Sequence, residues 1–251
     1  MTDQNLVIDR LTVVKSGKHI IDNVSCQFAT GQLVGIIGPN GAGKSTLLSA
    51  VAGQGRYSGD IRWHGRRPDA SDLGYMPQAC RVSSTLTVLE TVLLGSHERL
   101  GWRVSEADIE RATAILDEFA LAHLASRSMR TLSGGQQQLV LLSQRLVREP
   151  KLLVLDEATS ALDLSHQISV LGMLRRYVAK QRALVLMAIH DLNVAMQYTD
   201  QLVLVDNGVL AGQDAPQNVL TQDKIKKSYG LAVDLVPRPN GRPVIAPVVM
   251  A

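Results

Sequence analysis

A glycine-rich stretch that ends in lysine and serine carries the strongest chemical signal in this sequence. It lies between the apolar runs 33–37 and 47–51. This order predicts a buried strand, a loop and a helix. Glycines in such a loop let backbone N–H groups turn inward around a polyphosphate, and the helix N-terminus adds partial positive charge. The residues of this phosphate loop are Gly38, Pro39, Asn40, Gly41, Ala42, Gly43, Lys44, Ser45 and Thr46.

Three side chains of the phosphate loop suit a nucleoside triphosphate with Mg²⁺. Lys44 would reach the β- and γ-phosphates, Ser45 would ligate Mg²⁺, and Thr46 would bond the α-phosphate. A glycine-rich loop that merely turns tightly would not need the Lys-Ser pair. We therefore predict that the chain binds a nucleoside triphosphate.

Two carboxylates follow the apolar run 152–155 directly. Ligands of a parallel sheet lie at the carboxyl ends of its strands, so Asp156 and Glu157 would face the phosphate loop. Asp156 is placed to hold Mg²⁺, generally through water. Glu157 is placed to orient or deprotonate an attacking water. Together with the phosphate loop, this pair predicts hydrolysis of the bound triphosphate.

A second glycine pair offers another anion-binding helix N-terminus. Ser133, Gly134, Gly135 and Gln136 precede an apolar helical run. Taken alone, this stretch is an ordinary helix cap and turn. A chain with one phosphate loop has no obvious use for a second phosphate site, whereas two copies arranged head to tail would each supply this turn to the other's nucleotide.

Composition bounds the class of protein. The chain has 251 residues, 45% of them apolar and 20% charged, which suits either one large α/β domain or a core plus a subdomain. A net charge of +3 is too slight to argue for nucleic acid as a partner. We find no apolar run near the ~18 residues of a membrane span, and the first residues do not resemble a signal peptide. Cys26 and Cys80 are expected to be reduced thiols in the cytosol.

Apolar periodicity predicts the elements that position these residues. Near the start it predicts strands at 6–8, 11–14 and 20–28, with turns at 16–17 (Ser-Gly) and 22–23 (Asp-Asn), hence an antiparallel layer. Strands at 59–63 and 73–76 follow the phosphate loop and its helix.

Between residues 85 and 130 the period becomes helical. Ser105 and Asp108 have the spacing of a helix-capping pair. The predicted apolar stripes of this segment are Leu86, Leu89, Val92 and Leu93, and then Ile109, Ala112, Leu116 and Phe119.

The second half of the chain alternates helices with strands, which predicts a parallel sheet covered on both faces. The first predicted elements are a helix that runs to about residue 147, a strand at 152–155, and a helix with the apolar stripe Leu164, Ile168, Leu171, Leu174 and Val178. Strands at 183–189 and 201–205 follow, with a short helix between them. The last elements are a helix at 223–229 and strands at 233–236 and 244–247, which a turn at 239–241 joins.

Six motifs in one order make a family resemblance specific. The phosphate loop, residues 132–136 and residues 155–157 resemble the Walker A, signature and Walker B motifs of ATP-binding-cassette (ABC) ATPases. Residues 160–163 resemble the D-loop, residues 75–78 the Q-loop, and residues 189–191 the switch histidine.

The resemblance implies an α/β P-loop NTPase fold with a mixed central sheet, an N-terminal antiparallel β layer and an inserted helical subdomain. It implies one domain over residues 1–251. Residues 1–84 and 132–211 would form the nucleotide-binding core, 85–131 the helical subdomain, and 212–251 a C-terminal extension.

By the same resemblance, the ligands are ATP and Mg²⁺. Gln78 would contact Mg²⁺ or the attacking water, and His190 would hydrogen-bond the γ-phosphate. Ser133 and Gly135 would bind the γ-phosphate of the opposite subunit's ATP. Asp163 would bridge to that subunit, and its simpler role is to cap the helix that begins at Leu164.

The resemblance also implies partners. The chain would form a homodimer beneath separate membrane permease subunits, at the cytoplasmic face of the inner membrane. The segment from about residue 85 to 130 would hold the docking groove, with Leu86, Val88 and Leu89 as candidate lining residues or as core.

Two further stretches resemble importers of iron–siderophore, haem and cobalamin, which work with an extracytoplasmic binding protein. They are residues 191–193 and the tail from Tyr229 to Pro247. Zinc or manganese importers are the nearest alternative. A non-transport ABC ATPase of repair or translation would need coiled coils or two cassettes, and a small-molecule kinase or GTPase would not explain the signature turn.

The sequence departs from the family in two places. Family members commonly carry an aromatic residue near position 15 that stacks on adenine, whereas residues 13–17 are Val-Val-Lys-Ser-Gly. We therefore expect the base to be held weakly or by other groups. Ala158 stands where proline commonly follows the catalytic glutamate, and we expect little consequence.

Overall fold

A six-stranded sheet lies at the centre of the molecule. The computed structural model describes residues 5–78, 85–96, 104–158, 162–239 and 241–248. Neighbouring strands pair in parallel except for the last pair, which is antiparallel. In spatial order the strands are β5 (Leu73–Met76), β6 (Leu152–Leu155), β7 (Leu184–Ala188), β3 (Gln32–Ile37), β8 (Gln201–Asp206) and β9 (Val209–Asp214). The prediction of a mixed central sheet is confirmed.

The strands at the centre of this sheet are buried on both faces. Every residue of β6 and β7 is buried. Leu153 and Leu155 pack in one apolar cluster, whereas Leu152 and Val154 pack in a second cluster. Because successive side chains of a strand point to opposite faces, an unbroken apolar run is what a sheet covered on both sides requires.

A three-stranded antiparallel sheet packs on the second of these clusters, as predicted. Its spatial order is β2 (Lys18–Phe28), β1 (Leu6–Lys15) and β4 (Ser58–Trp63). The turn at 16–17 is confirmed, since Ser16 and Gly17 have φ of 50° and 75°.

Two predictions for this layer are wrong. Residues 6–8 and 11–14 belong to one strand, β1, whose pairing with β2 shifts register along its length. The expected turn at 22–23 lies inside β2, where Asn23 has φ of 51° and its N–H donates to Thr12 Oγ1 at 3.0 Å. A bulge and a turn both place Asp or Asn at positive φ, so sequence does not distinguish them.

Eight α-helices complete the described part of the chain. They are α1 (Lys44–Val51), α2 (Val88–Leu93), α3 (Glu106–Glu118), α4 (Gly134–Leu146), α5 (Leu164–Gln181), α6 (Leu192–Tyr198), α7 (Pro216–Val219) and α8 (Gln222–Tyr229). Within the described parts of residues 85–130, which exclude 97–103, the predicted helical character is confirmed by α2, α3 and short 3₁₀ turns. Ser105 and Asp108 form the predicted capping box at the start of α3.

Some predicted apolar stripes extend beyond the core. Ile109 is 42% exposed on α3, and Leu164 and Ile168 of α5 are 61% and 39% exposed. The buried part of α5 begins at Val170. Periodicity shows which face of a helix is apolar, but not how far its packing partners extend along it.

Among the candidate docking residues, Val88 is fully buried, so it belongs to the core and cannot line a surface groove. Leu86 and Leu89 are half-buried. No helix in the described ranges has both the length and the apolar character needed to cross a membrane.

The C-terminal strands β10 (Val233–Val236) and β11 (Val244–Pro247) pair antiparallel, as expected. The predicted turn between them includes Asn240, which lies outside the described residues. Asn193 of α6 makes two hydrogen bonds with the backbone of Ile245, at 2.8 and 3.1 Å. The tail is thereby fastened to the helix that follows the predicted switch histidine. Strand β9 and helix α7 had no counterpart in the sequence prediction.

Candidate active site

The phosphate loop connects β3 to α1 with a backbone that requires glycine at two positions. Gly38 and Gly43 have φ of 148° and 107°. A Cβ on Gly43 would approach the carbonyl oxygen of Ile20 to 2.7 Å, and a Cβ on Gly38 would collide with the carbonyl oxygen of Val205. Gly43 caps α1 without a side-chain hydrogen bond. The first turn of α1 therefore has no side-chain cap, as an anion-binding helix N-terminus requires.

Lys44 is buried and points back into this loop. It is 6% exposed, and its Nζ donates to the carbonyl oxygens of Gly38 at 2.8 Å and Pro39 at 3.0 Å. Burial lowers the pKa of Lys44, while the nearby carboxylates of Glu157 and Asp156 oppose that shift. The loop therefore holds a desolvated cation that a triphosphate would neutralise.

Asp156 and Ser45, two of the residues predicted to hold Mg²⁺, are hydrogen-bonded to each other. The Ser45 hydroxyl donates to Asp156 Oδ1 at 2.9 Å, and Asp156 is 3% exposed. Burial raises the pKa of Asp156 despite the hydrogen bond from Ser45, and the charge of Glu157 adds to the rise. A buried carboxylate beside a hydroxyl offers hard oxygen donors, and a cation there would relieve its desolvation.

The donor set fits Mg²⁺ better than a metal held by protein side chains alone. Across the described residues, no group of three or more His, Cys, Asp or Glu side chains forms a metal cluster. Mg²⁺ commonly takes one or two protein oxygens and completes its shell with water and substrate phosphates. Ser45 and Asp156 match that pattern.

Glu157 lies at the centre of a hydrogen-bonded triad that the sequence predicted only as separate motifs. Gln78 Nε2 donates to Glu157 Oε2 at 2.6 Å, and His190 Nε2 lies 2.7 Å from Glu157 Oε1. Glu157 has φ of 55°, a conformation uncommon for a residue with a side chain. Gln138 of α4 donates to its backbone oxygen at 2.9 Å and supports that conformation. The carboxylate is therefore aimed into the cleft by contacts from three other elements.

The cleft around these groups has a volume of about 570 Å³. Six residues of the phosphate loop line it together with the predicted catalytic residues, whereas Gly38, Pro39 and Ala42 are not among the lining residues. Its lining residues are Ile20, Asn40, Gly41, Gly43, Lys44, Ser45, Thr46, Gln78, Glu157 and His190. The structure thus brings the phosphate loop, Glu157, Gln78 and His190 to one cavity, with Asp156 buried behind Ser45.

The predicted signature residues line a different pocket. It has a volume of about 410 Å³ and shares no lining residue with the first. Its lining residues are Ser133, Gly134, Gly135, Gln136, Leu139, Leu162, Asp163 and His166. Within one chain, the signature turn therefore does not contribute to the cleft that holds Lys44.

Within one chain the second pocket's polar groups act as helix caps. Ser133 and Gln136 form a capping box at the start of α4. Asp163 caps α5, and its Oδ1 accepts from the His166 N–H at 2.9 Å and lies 2.8 Å from His166 Nδ1. These hydrogen bonds lower the pKa of Asp163. Residues 160 and 161 of the predicted D-loop lie outside the described residues.

Four residues near the cleft had no role in the sequence prediction. Lys15 Nζ donates to Thr46 Oγ1 at 3.2 Å, and Ile20 lines the cleft from the β1–β2 hairpin. Gln138 supports Glu157, and the hydroxyl of Tyr229 hydrogen-bonds the backbone of Gly38. Each is distant in sequence from its contact, so no local pattern could have revealed it.

Known proteins resemble this chain over most of its length. Residues 21–160 match the family model described as ABC transporter. The hemin import ATP-binding protein HmuV of Myxococcus xanthus is 39% identical over 233 residues, covering 86% of this chain and 87% of HmuV. The cobalamin import ATP-binding protein BtuD of Halobacterium salinarum is 36% identical over 239 residues, covering 91% of this chain. The chain spans only 59% of the length of that BtuD.

A solved structure agrees with these relatives. The chain is similar to a metal-chelate type ABC transporter in an inward-facing conformation, with a TM-score of 0.85 and 26% identity over 98% of each chain. The expected fold is thereby confirmed. On the family match and the relatives, the chain belongs to the ABC transporter family, as one of its ATPase cassettes.

Proposed function

We propose that this chain hydrolyses ATP in a cleft completed by a second copy of itself, and that hydrolysis drives import through a membrane permease. The observation that carries the proposal is the presence of two separate pockets that share no lining residue, which we interpret as complementary half-sites. One holds the phosphate loop and the triad around Glu157. The other presents the signature turn at a helix N-terminus.

The first half-site would bind MgATP and prepare water for attack. Lys44 and the loop amides would hold the β- and γ-phosphates, and Ser45 and Asp156 would hold Mg²⁺. When bound, Mg²⁺ would neutralise charge on the phosphate oxygens. Glu157 would orient the attacking water and accept its proton, with Gln78 and His190 holding the carboxylate in place. His190 would hydrogen-bond the γ-phosphate once the nucleotide is bound.

The second half-site would act on the partner's nucleotide. Ser133 and Gly135 would contact the γ-phosphate bound by the other copy, and Gly134 and Gln136 would shape that turn. Asp163 would bridge between the copies. ADP and free phosphate would bind the closed arrangement less tightly than ATP, so hydrolysis would reopen the dimer.

The transport role draws on the relatives. HmuV and BtuD are named for hemin and cobalamin import, and the similar solved structure belongs to a metal-chelate type transporter. We infer that the cargo is a metal chelate of this kind: haem, cobalamin or an iron–siderophore. The chain would lie at the cytoplasmic face of the inner membrane, docked on permease subunits. An extracytoplasmic binding protein would deliver the cargo and would not touch this chain.

Dimer formation tests the composite site. Glu157→Gln with MgATP is expected to accumulate as a dimer in light scattering after size exclusion, because ATP binds without being hydrolysed. Adding Ser133→Arg should leave nucleotide binding by the monomer nearly intact and prevent the dimer. Ser105→Arg is the matched control, since Ser105 caps α3 in a capping box like that of Ser133. Equal dimerisation of both variants, or loss of ATP binding with Ser133→Arg, would refute the composite site.

Uptake measurements test the cargo. Cells lacking this chain are expected to lose uptake of one labelled compound among hemin, cobalamin and a ferric siderophore. Wild-type chain should restore uptake, and Glu157→Gln should not. Unchanged uptake of all three compounds would overturn the metal-chelate proposal and leave the ATPase proposal to stand on the dimer experiment.

A further inference from the structure

The hairpin between β1 and β2 contacts the phosphate loop through a lysine. Lys15, the last residue of β1, places its ammonium 3.2 Å from the hydroxyl of Thr46. Thr46 lies in the first turn of α1 and lines the cleft. Of the described residues that line this cleft, none is Phe, Tyr or Trp, and its one ring, the imidazole of His190, is hydrogen-bonded to Glu157. Stacking on a base would need an aromatic side chain at this place. The hairpin instead presents the positively charged side chain of Lys15 to the nucleotide site.

The ammonium of Lys15 has capacity to bind more than Thr46. It carries three donors, and the Thr46 hydroxyl accepts only one. Its side chain is exposed and borders the cleft through Thr46, although Lys15 is not itself a lining residue. Lys15 is paired in register with Lys18 across the hairpin, which places both side chains on one face. The end of the hairpin thus adds positive charge beside the N-terminus of α1.

We propose that Lys15 is a nucleotide-binding residue that contacts the phosphate nearest Thr46, the α-phosphate, and so replaces base stacking as the anchor at this side of the site. The proposal rests on the proposed function, in that the cleft binds ATP. Ile20 is the apolar side chain that the hairpin offers to the cleft, and it supplies no directional contact to a base. Affinity is therefore carried by the phosphates, and ATP and GTP bind within a few-fold of one another.

The contact has an expected size. Charge-assisted hydrogen bonds contribute more than neutral ones, but an exposed lysine is screened by water and salt. Loss of the ammonium is expected to weaken binding by about 3- to 10-fold at low salt. The loss should shrink as ionic strength rises, because the screening length falls to about 10 Å at 0.1 M.

The test compares Lys15→Met with the wild-type chain, because methionine keeps an apolar stem and removes the charge. Dissociation constants for ATP, GTP and inorganic tripolyphosphate are measured by displacement of a fluorescent ATP analogue at low and high salt. Lys180→Met is the matched control, an exposed lysine near the end of α5 that does not line the cleft. Thermal melting of each variant reports whether the fold is kept.

We expect Lys15→Met to weaken all three ligands by a similar factor at low salt, with Lys180→Met unchanged. Unaltered binding of all three by Lys15→Met would overturn the proposal. Weaker binding of ATP and GTP together with unaltered binding of tripolyphosphate would also overturn it, because Lys15 would then contact the ribose or the base. Failure of the wild-type chain to bind any of the three would instead refute the proposed function.

Discussion

Replacing Glu157 with glutamine is expected to separate ATP binding from ATP hydrolysis. The amide oxygen can still accept from Gln78 Nε2, and the amide N–H can donate to His190 Nε2 when that histidine carries its proton on Nδ1. Both short contacts of the triad, 2.6 and 2.7 Å in the wild-type chain, therefore have neutral replacements. What the variant lacks is a group that takes a proton from water.

The expected size of the effect follows from this exchange. A positioned general base contributes about 10²- to 10⁴-fold to a rate, which corresponds to about 3 to 5 kcal/mol of activation free energy. The free energy of unfolding should change by about 1 kcal/mol or less, because two charged hydrogen bonds become neutral ones. Removing the charge also relieves repulsion with Asp156, whose pKa Glu157 helps to raise.

The assay is phosphate release at saturating MgATP, measured at protein concentrations high enough for dimers, with nucleotide binding measured separately. Glu149→Gln is the matched control, since Glu149 is exposed and has φ of 56°, like the 55° of Glu157. The control should hydrolyse ATP at the wild-type rate. A Glu157→Gln rate within about tenfold of wild type would refute the assigned role.

Three further predictions concern other parts of the chain. Asp156→Asn should lower Mg²⁺-dependent hydrolysis by about 100-fold or more. Because the pKa of Asp156 is raised in the fold, its ionisation lowers the free energy of unfolding as pH rises, so the nucleotide-free variant should be more stable to urea than wild type at pH 8 and should lose that advantage toward pH 4. Equal stability of the two proteins at both pH values would contradict this account. Arg242→Ala should lower the free energy of unfolding by about 1 to 3 kcal/mol, because Arg242 donates to the carbonyl oxygens of Met196 and Thr199 at the end of α6. An unchanged urea midpoint would show that these hydrogen bonds do not contribute to stability. Burial raises the pKa of Cys26 to about 12, so iodoacetamide at neutral pH should alkylate this thiol only after the chain is unfolded. Peptide mapping would locate the modification, and alkylation of Cys26 in the native state would disprove its burial.

Local chemistry explains why parts of the fold were predictable. The phosphate loop follows from glycines at positive φ between an apolar strand and a helix, all within a short stretch of sequence. The capping pair of Ser105 and Asp108 is equally local. Features of this kind need no knowledge of what packs against them.

Features that depend on neighbours were left open, as for Val88, or mispredicted, as for Ile109 and Asn23. Val88 and Ile109 have similar apolar character, yet Val88 is fully buried and Ile109 is 42% exposed. The bulge at Asn23 depends on its bond to Thr12 of the paired strand. In each case the burial or backbone conformation depends on contacts with another element of the fold. The apolar pattern along a single element cannot predict those contacts.

The residue types suited to phosphate, metal and water could be identified from the sequence alone, because each motif is short and its geometry is set by its own backbone. Only the tertiary structure decided that Gln78 and His190 both contact Glu157, from 79 and 33 residues away. It likewise decided that Lys15 reaches Thr46 and that the signature turn opens into a separate pocket. These contacts between residues far apart in sequence depend on the spatial order of the strands. That order depends on the apolar area that the whole chain buries, not on any one segment.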